Sequence, residues 1–324
     1  MHTDYPVKYQ NVTMYTMNIS VVHDYFLAHP PKYAGLTVFF QHEHNLYLSG
    51  PKVWGLRRDD PIGKVESILD PAEKYYVRIV NRPRYYYSDV VIEYCKPNIE
   101  NIVRSEALPP EVIKKIIYAP SLPFVYSNDR DRPLPLMTNF NDNSWDPRRG
   151  GLAAQLLTIC PEYRNVQGVY RHHELRDLYS SAKLMVNAHQ EWFRHSIEEF
   201  RVLPALSRGC IIISEDVPLR HCIPYHEYIV WAAFEDLADV TSEVMKHYDD
   251  YFEKIHGKDS RLPVLLDEMK NEFADSLTRL LEDDEYFSLR ARMKRRGLGV
   301  ASKVQSTIRY RARGYIPGGE ESTA

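Results

Sequence analysis

Short apolar runs rich in β-branched and aromatic residues alternate along the chain with stretches whose apolar positions recur every three or four residues. The runs Leu36–Phe40 (LTVFF), Asp89–Tyr94 (DVVIEY), Lys115–Ala119, Leu136–Phe140, Leu184–Asn187, Cys210–Ser214 (CIIIS) and Tyr228–Trp231 predict strands, as do Met14–Val22, Tyr75–Val80 and Asn165–Tyr170. Between them the spacing predicts helices over Asn98–Ser105, with Asn98 as cap, Pro147–Leu157, Glu174–Ser181, Ile197–Ser207 and Asp236–Phe252. Leu265, Leu266, Met269, Phe273, Leu277, Leu280 and Leu281 mark the core face of a further helix. Apolar strands of four to six residues separated by helices predict an α/β fold built on parallel sheets covered on both faces. Pro120–Pro135 interrupts the pattern with four prolines and the run Ser-Asn-Asp-Arg-Asp-Arg. Proline sustains neither a helix nor a central strand, so a linker and a domain boundary are expected there. The expected division is 1–120, 121–256 and a helical, basic segment 257–324 with a disordered end.

Composition narrows the class. The 324 residues are 44% hydrophobic and 26% charged, which excludes a disordered chain or a fibre. Four scattered cysteines form no C-x-x-C pair, so neither a disulfide scaffold nor a zinc ribbon is expected. No apolar stretch reaches the length of a membrane span, and the N-terminus lacks a secretory pattern; a soluble, cytoplasmic protein is the expectation. The net charge of −3 hides an asymmetry. From Tyr286 to Arg313 there are nine bases and no acid, so the remaining 32 bases face 44 acids elsewhere. Such a tail fits docking on the acidic body, contact with an anionic membrane or polyanion, or nucleic-acid binding. The apolar residues interspersed in it favour docking, and sequence-specific nucleic-acid binding is not expected. Twenty-four tyrosines, including Tyr85-Tyr86-Tyr87, suit strands or a surface that stacks on sugars.

In open α/β sheets ligands bind beyond the carboxyl ends of the strands, on the starts of the following helices. Two segments of the second half meet that description. In Asn139–Arg149 (NFNDNSWDPRR), Pro147 suits the first position of a helix, and Arg148 and Arg149 follow where cations oppose the helix dipole. An anion such as a diphosphate at the helix start would account for them; a surface salt-bridge pair is the plainer reading. In Lys183–Val217, Asn187 and His189 end one strand, Ser214 and Glu215 end the next, and Glu198, Glu199 and Arg201 open the helix between. Capping by Ser196 explains the two acids but not the arrival of Asn187, His189 and Glu215 at the same edge. Weaker signals are Asp129-Arg130-Asp131 in the linker, His42-Glu43-His44 after LTVFF, the helix-preceding pair His172-His173, and His23-Asp24, placed by the first strand to serve as a general base on an acceptor hydroxyl.

The stretch VNAHQ…HSIEEFRVLPALSRGCIIISED resembles the donor-binding half of GT-B glycosyltransferases, in the branch of the CgeB-like and "glycosyl transferases group 1" domains. The resemblance covers roughly residues 115 to 255. It implies two Rossmann-like domains facing across a cleft and transfer of a sugar from a nucleotide-sugar to a hydroxyl of a glycan or other acceptor, with no cofactor and no catalytic metal. It further implies that Arg148, Arg149 and Arg201 neutralise the diphosphate, that Glu198 or Glu199 holds the ribose, and that His189 lies near the transferred sugar. Where many retaining members carry a second glutamate, this chain has Pro204. The alternative is a non-catalytic nucleotide-sugar-binding or scaffold protein whose basic tail touches a polyanion or membrane.

Overall fold

The computed structural model describes residues 7–9, 12–15, 20–29, 36–41, 46–48, 63–66, 74–77, 79, 82–106, 108–140, 147–189 and 196–288. The first half contains β1 (Val7–Tyr9), β2 (Val12–Tyr15), α1 (Ser20–Ala28), β3 (Leu36–Gln41), β4 (Leu46–Leu48), β5 (Gly63–Glu66), β6 (Lys74–Val77), α2 (Arg82–Tyr87), β7 (Val90–Glu93), α3 (Lys96–Arg104), α4 (Pro110–Ile113) and β8 (Ile116–Tyr118). The second half contains β9 (Leu134–Thr138), α5 (Arg148–Ile159), β10 (Arg164–Asn165), α6 (His172–Ser181), β11 (Ala182–Asn187), α7 (Glu199–Ser207), β12 (Ile211–Glu215), β13 (Ile229–Ala232), α8 (Leu237–Lys246), α9 (Tyr248–His256), α10 (Leu262–Leu281) and α11 (Asp284–Phe287).

Two sheets carry the fold, as expected of a pair of Rossmann-like units. The first has order β1-β2-β3-β7-β8, parallel except for β1, and β4-β6-β5 form a small antiparallel sheet of their own. The second, β10-β9-β11-β12-β13, is parallel throughout. Alternation of side chains explains how the first sheet is covered on both faces. Val38, Phe40, Val90, Ile92 and Ile117 pack under Val22 and Phe26 of α1 and Phe273, Leu277 and Leu280 of α10. Phe39 and Val91 point the other way, against Tyr85, Tyr86, Ile102 and Val112 of α2, α3 and α4.

Several expected elements differ. The run Met14–Val22 is not one strand: β2 ends at Tyr15 and α1 begins at Ser20, because NISVVHDYFLA also carries a helical apolar spacing. Tyr85-Tyr86-Tyr87 lies in helix α2, with the first two side chains buried. α3 begins at Lys96 with Cys95 as its flanking residue, so Asn98 sits inside the helix and bonds a carboxylate instead of capping. Of Asn165–Tyr170 only Asn165 lies in a strand, as the second residue of β10, and Asp236–Phe252 is two helices broken at His247.

The linker packs more tightly than its polarity suggests. Arg132 is buried: its Nη1 donates to the carbonyls of Tyr179 (3.0 Å), Ser180 (3.1 Å) and Ala182 (3.0 Å), its Nε to that of Asp129 (2.6 Å), and its Nη2 to that of Arg208. One guanidinium thus satisfies the carbonyls at the ends of α6 and α7, where helix dipoles favour a cation. Within the segment 257–324, helix α10 contributes to two cores. The first half of α10 (Leu262, Leu266, Met269) belongs to the core of the second unit and its second half (Phe273, Leu277, Leu280) to the core of the first.

Candidate functional site

The second sheet reverses its strand order between β9 and β11, the switch point at which α/β sheets leave a crevice beyond their carboxyl ends. Six of the singled-out residues converge there. Arg148, in the first turn of α5, forms a two-pronged pair with Glu215 at the end of β12: Nη2 to Oε1 at 2.8 Å and Nη1 to Oε2 at 3.1 Å. Its Nη1 also donates to the His189 carbonyl (3.2 Å), and the guanidinium lies 3.6 Å from the centroid of the Phe234 ring. The pair is largely shielded from water, with side-chain exposures of 13% and 5%. Arg149, also buried, donates through Nε (3.0 Å) and Nη2 to the Ala188 carbonyl and lies over Phe140. The His189 amide donates to Glu215 Oε2 (2.9 Å), and its imidazole Nε2 is 4.0 Å from the same oxygen. Asn187 donates to the Ser214 hydroxyl (3.0 Å), which donates to the Glu215 carbonyl (3.0 Å).

Electrostatics make this cluster a fixed anion set among fixed cations. Burial pushes the Glu215 carboxyl up, but His189, the Arg148 guanidinium and the His189 amide together carry it below the usual carboxylate range. Glu215 therefore stays ionised and holds both the start of α5 and the loop at His189. Two of the three arginines offered to a diphosphate, Arg148 and Arg149, are tied to Glu215 and to the carbonyls of the β11 loop, so they build the floor of the crevice.

The other expected residues lie elsewhere. Glu199, the first residue of α7, is fully enclosed where the carboxyl edge of the first sheet meets the second unit. It accepts hydrogen bonds from the hydroxyls of Tyr118 (2.8 Å) and Tyr225 (3.0 Å) and from the Ser121 amide (3.3 Å). Arg201 is two residues further, roughly 200° around the helix, half-buried and near the Tyr179 phenol. Glu198 is the half-buried flanking residue of α7. His23 and Asp24 sit on α1, not in a loop after a strand, and their side chains lie outside the described residues, as does His42-Glu43-His44. Asp129 and Asp131 are exposed, in the segment that Arg132 anchors beside the amino end of β11, opposite the crevice. His172 and His173 are exposed. Among the described residues no three His, Cys, Asp or Glu side chains are grouped to hold a metal ion, no helix is long and apolar enough to cross a membrane, and the four cysteines are free.

Sequence reasoning missed the row on the first sheet. Gln41, Glu93 and Tyr118 are register neighbours at the carboxyl ends of β3, β7 and β8, and all three are buried. Glu93 accepts from Asn98 Nδ2 (2.9 Å) and the Tyr85 hydroxyl (3.4 Å), and burial pushes its carboxyl well above the usual range against those bonds. The strand-end rule applied to the second half would have found these residues in the first. The two units meet along this row: Tyr94 stacks on Phe200 (4.6 Å between centroids) and the Ser196 hydroxyl donates to Asn98 (3.4 Å). A groove of about 530 Å³ opens beside it, lined by Lys96, Tyr118, Cys222, Glu272, Arg279 and Asp283 among others. Its Lys96–Glu272 and Lys114–Asp283 ion pairs leave the charges of its walls matched.

The sequence matches no family profile and no curated protein. Among solved structures the chain is similar to one from the GtfA/B complex, with TM-score 0.39 and 10% identity over 76% of this chain and 52% of that one. It is similar to TarM with TM-score 0.44 and 8% identity, over 77% and 51% respectively. A GtfA/B complex bound to UDP and GlcNAc gives TM-score 0.29 and 12% identity, over 84% and 54%. The chain thus spans about half the length of each of these proteins.

Proposed function

We propose that the protein is a glycosyltransferase of GT-B type that moves a sugar from a nucleotide-sugar to an acceptor hydroxyl without a metal. The observation that carries the reading is the convergence of Arg148, Arg149, His189 and Glu215 on the switch point of an all-parallel sheet whose edge region adjoins that of a second, mostly parallel sheet. The donor's diphosphate sits over the start of α5, where amide groups and the dipole favour an anion. Asn187, Ser214 and Glu198 supply polar contacts to the nucleoside, and His189 stands next to the transferred sugar. The acceptor comes from the side of the first sheet, where His23 or Asp24 of α1 serves as its base. The leaving diphosphate is stabilised by fixed dipoles and the nearby arginines.

Thermal shift against a panel of nucleoside diphosphates, followed by turnover of the matching nucleotide-sugars, tests this. A diphosphate at one hundred times its Kd should add about 2.7 kcal/mol of stability. Turnover should survive EDTA, and His189→Ala should abolish it while diphosphate binding persists. Stabilisation without transfer to any acceptor would favour a binding or scaffold protein. Loss of turnover in EDTA, restored by manganese, would return Asp129 and Asp131 to consideration and overturn the metal-free reading.

A further inference from the structure

Glu199 has no part in the crevice, yet three segments converge on it. Its carboxyl, 1% exposed, receives the Tyr118 hydroxyl from the end of β8, the Ser121 amide from the linker and the Tyr225 hydroxyl from the second unit. Among the described residues no Lys, Arg or His forms an ion pair with it. The titratable and charged groups around it are Glu93, Tyr94 and Cys95 at the end of β7, Lys96 of α3, Tyr118 of β8, and Tyr225. Lys96 is the one cation of that set. Its ammonium lies over the Tyr118 ring, 5.3 Å from the centroid, and is bound to Glu272 at 3.0 Å.

We propose that Glu199 is a positioning residue that carries a proton and, in that neutral form, clasps the carboxyl edge of the first sheet to the second unit. Neutral, the carboxyl donates its own proton to one tyrosine hydroxyl while its carbonyl oxygen accepts from the other, so both bridges persist without a net charge. Ionised, it places a desolvated negative charge beside Glu93 with no cation in contact, and such a charge is costly to keep buried. Burial holds the carboxyl up at about 8, against the pull of Tyr118, Tyr225, the Ser121 amide and Lys96. The sign follows. The folded value lies above the unfolded 4.5, so the contribution of Glu199 to stability is full below 4.5 and is lost as the pH rises through 8. The inference deepens the proposed function, since the clasp would hold the donor and acceptor walls in register, but its main tests need no substrate.

Melting temperatures of the wild type and Glu199→Gln from pH 5.5 to 9 decide it. Glutamine keeps the neutral bridge, so the wild type should fall relative to the variant by more than about 4 °C across the range. Amide exchange at Ser121 should become faster in the wild type than in the variant above pH 8. Parallel melting curves would overturn the proposal. Should Glu199→Gln fail to fold, Tyr118→Phe serves: loss of a donor to the anion should move the wild-type fall to higher pH, and an unmoved fall is equally fatal. If sugar transfer is found, the alkaline limb of kcat should flatten in Glu199→Gln. Absence of transfer in both proteins would defeat the proposed function and leave the melting result standing.

Discussion

Arg132 shows how a single residue can reverse the reading of its surroundings. In the run Asp-Arg-Asp-Arg it looks like a solvated linker charge, yet it is buried and donates to five carbonyl oxygens. Gly209 allows this: its φ is +84°, and a methyl there would collide with the Arg132 guanidinium and meet the Ser127 carbonyl at 2.7 Å. Arg132→Ala should cost at least about 3 kcal/mol, because several buried carbonyls lose their donor together and each unsatisfied group costs about 1–3 kcal/mol. Gly209→Ala should be destabilising by more than about 1 kcal/mol, from the left-handed backbone and the displaced guanidinium. Denaturant melts of both variants check this, and a wild-type midpoint for Arg132→Ala would mean that water replaces the guanidinium without loss.

The element that joins the molecule is α10. Its apolar spacing is plain in the sequence, but spacing cannot say that one stripe serves two cores. α11 continues the attachment to the first sheet: Tyr286 and Phe287 are buried, the Tyr286 hydroxyl donates to the Asp89 carbonyl (2.7 Å), and Lys114 pairs with Asp283 at 2.6 Å. Tyr286 and Phe287 thus pack on the first sheet, while all nine bases of the stretch lie beyond residue 288, outside the described residues. A chain ending at Glu285 should lose about 3–6 kcal/mol, from two aromatic side chains at about 1.5–3 kcal/mol each, and should bind a hydrophobic dye more strongly than one ending at Ser288. Equal melting temperatures for the two truncations would show that the aromatic pair contributes nothing. Vesicle binding that disappears when residues 289–324 are removed from a folded protein would assign the rest of the tail to an anionic membrane.

At the scale of the whole molecule, two buried groups set opposing pH limits. His256, on α9, donates through Nε2 to the Cys210 carbonyl (3.1 Å), which can only accept, so Nδ1 receives the Tyr126 hydroxyl (3.3 Å) and the ring is neutral. Burial lowers its value from 6.5 to about 4, the Cys210 bond opposing. The unfolded chain thus binds more protons between those values, and stability should fall by about 3 kcal/mol as the pH drops from 6.5 to 4. Denaturant titrations across that window check it: His256→Asn should flatten the acid slope even if it lowers the plateau, and an unchanged slope would remove His256 as its source. Glu199 acts with the opposite sign on the alkaline side, so the two variants should flatten different limbs of one profile.

Local pattern determined the alternation of strands and helices, the position of the linker, and the gathering of Asn187, His189, Ser214 and Glu215 at one edge. Each of these follows from short-range rules: β-branched runs pair, proline stops, and strand ends in a parallel sheet point the same way. Tertiary structure decided the partners. Arg148 and Glu215, 67 positions apart, meet only because β12 lies two strands from β9. Glu199 looks like its neighbour Glu198 in sequence, but helix phase turns it into the seam and Arg201 away from it. The break at His247 has neither glycine nor proline to announce it. Burial, charge pairing and the sharing of α10 between two cores arise from contacts between residues far apart in the chain, and no window of neighbours contains them.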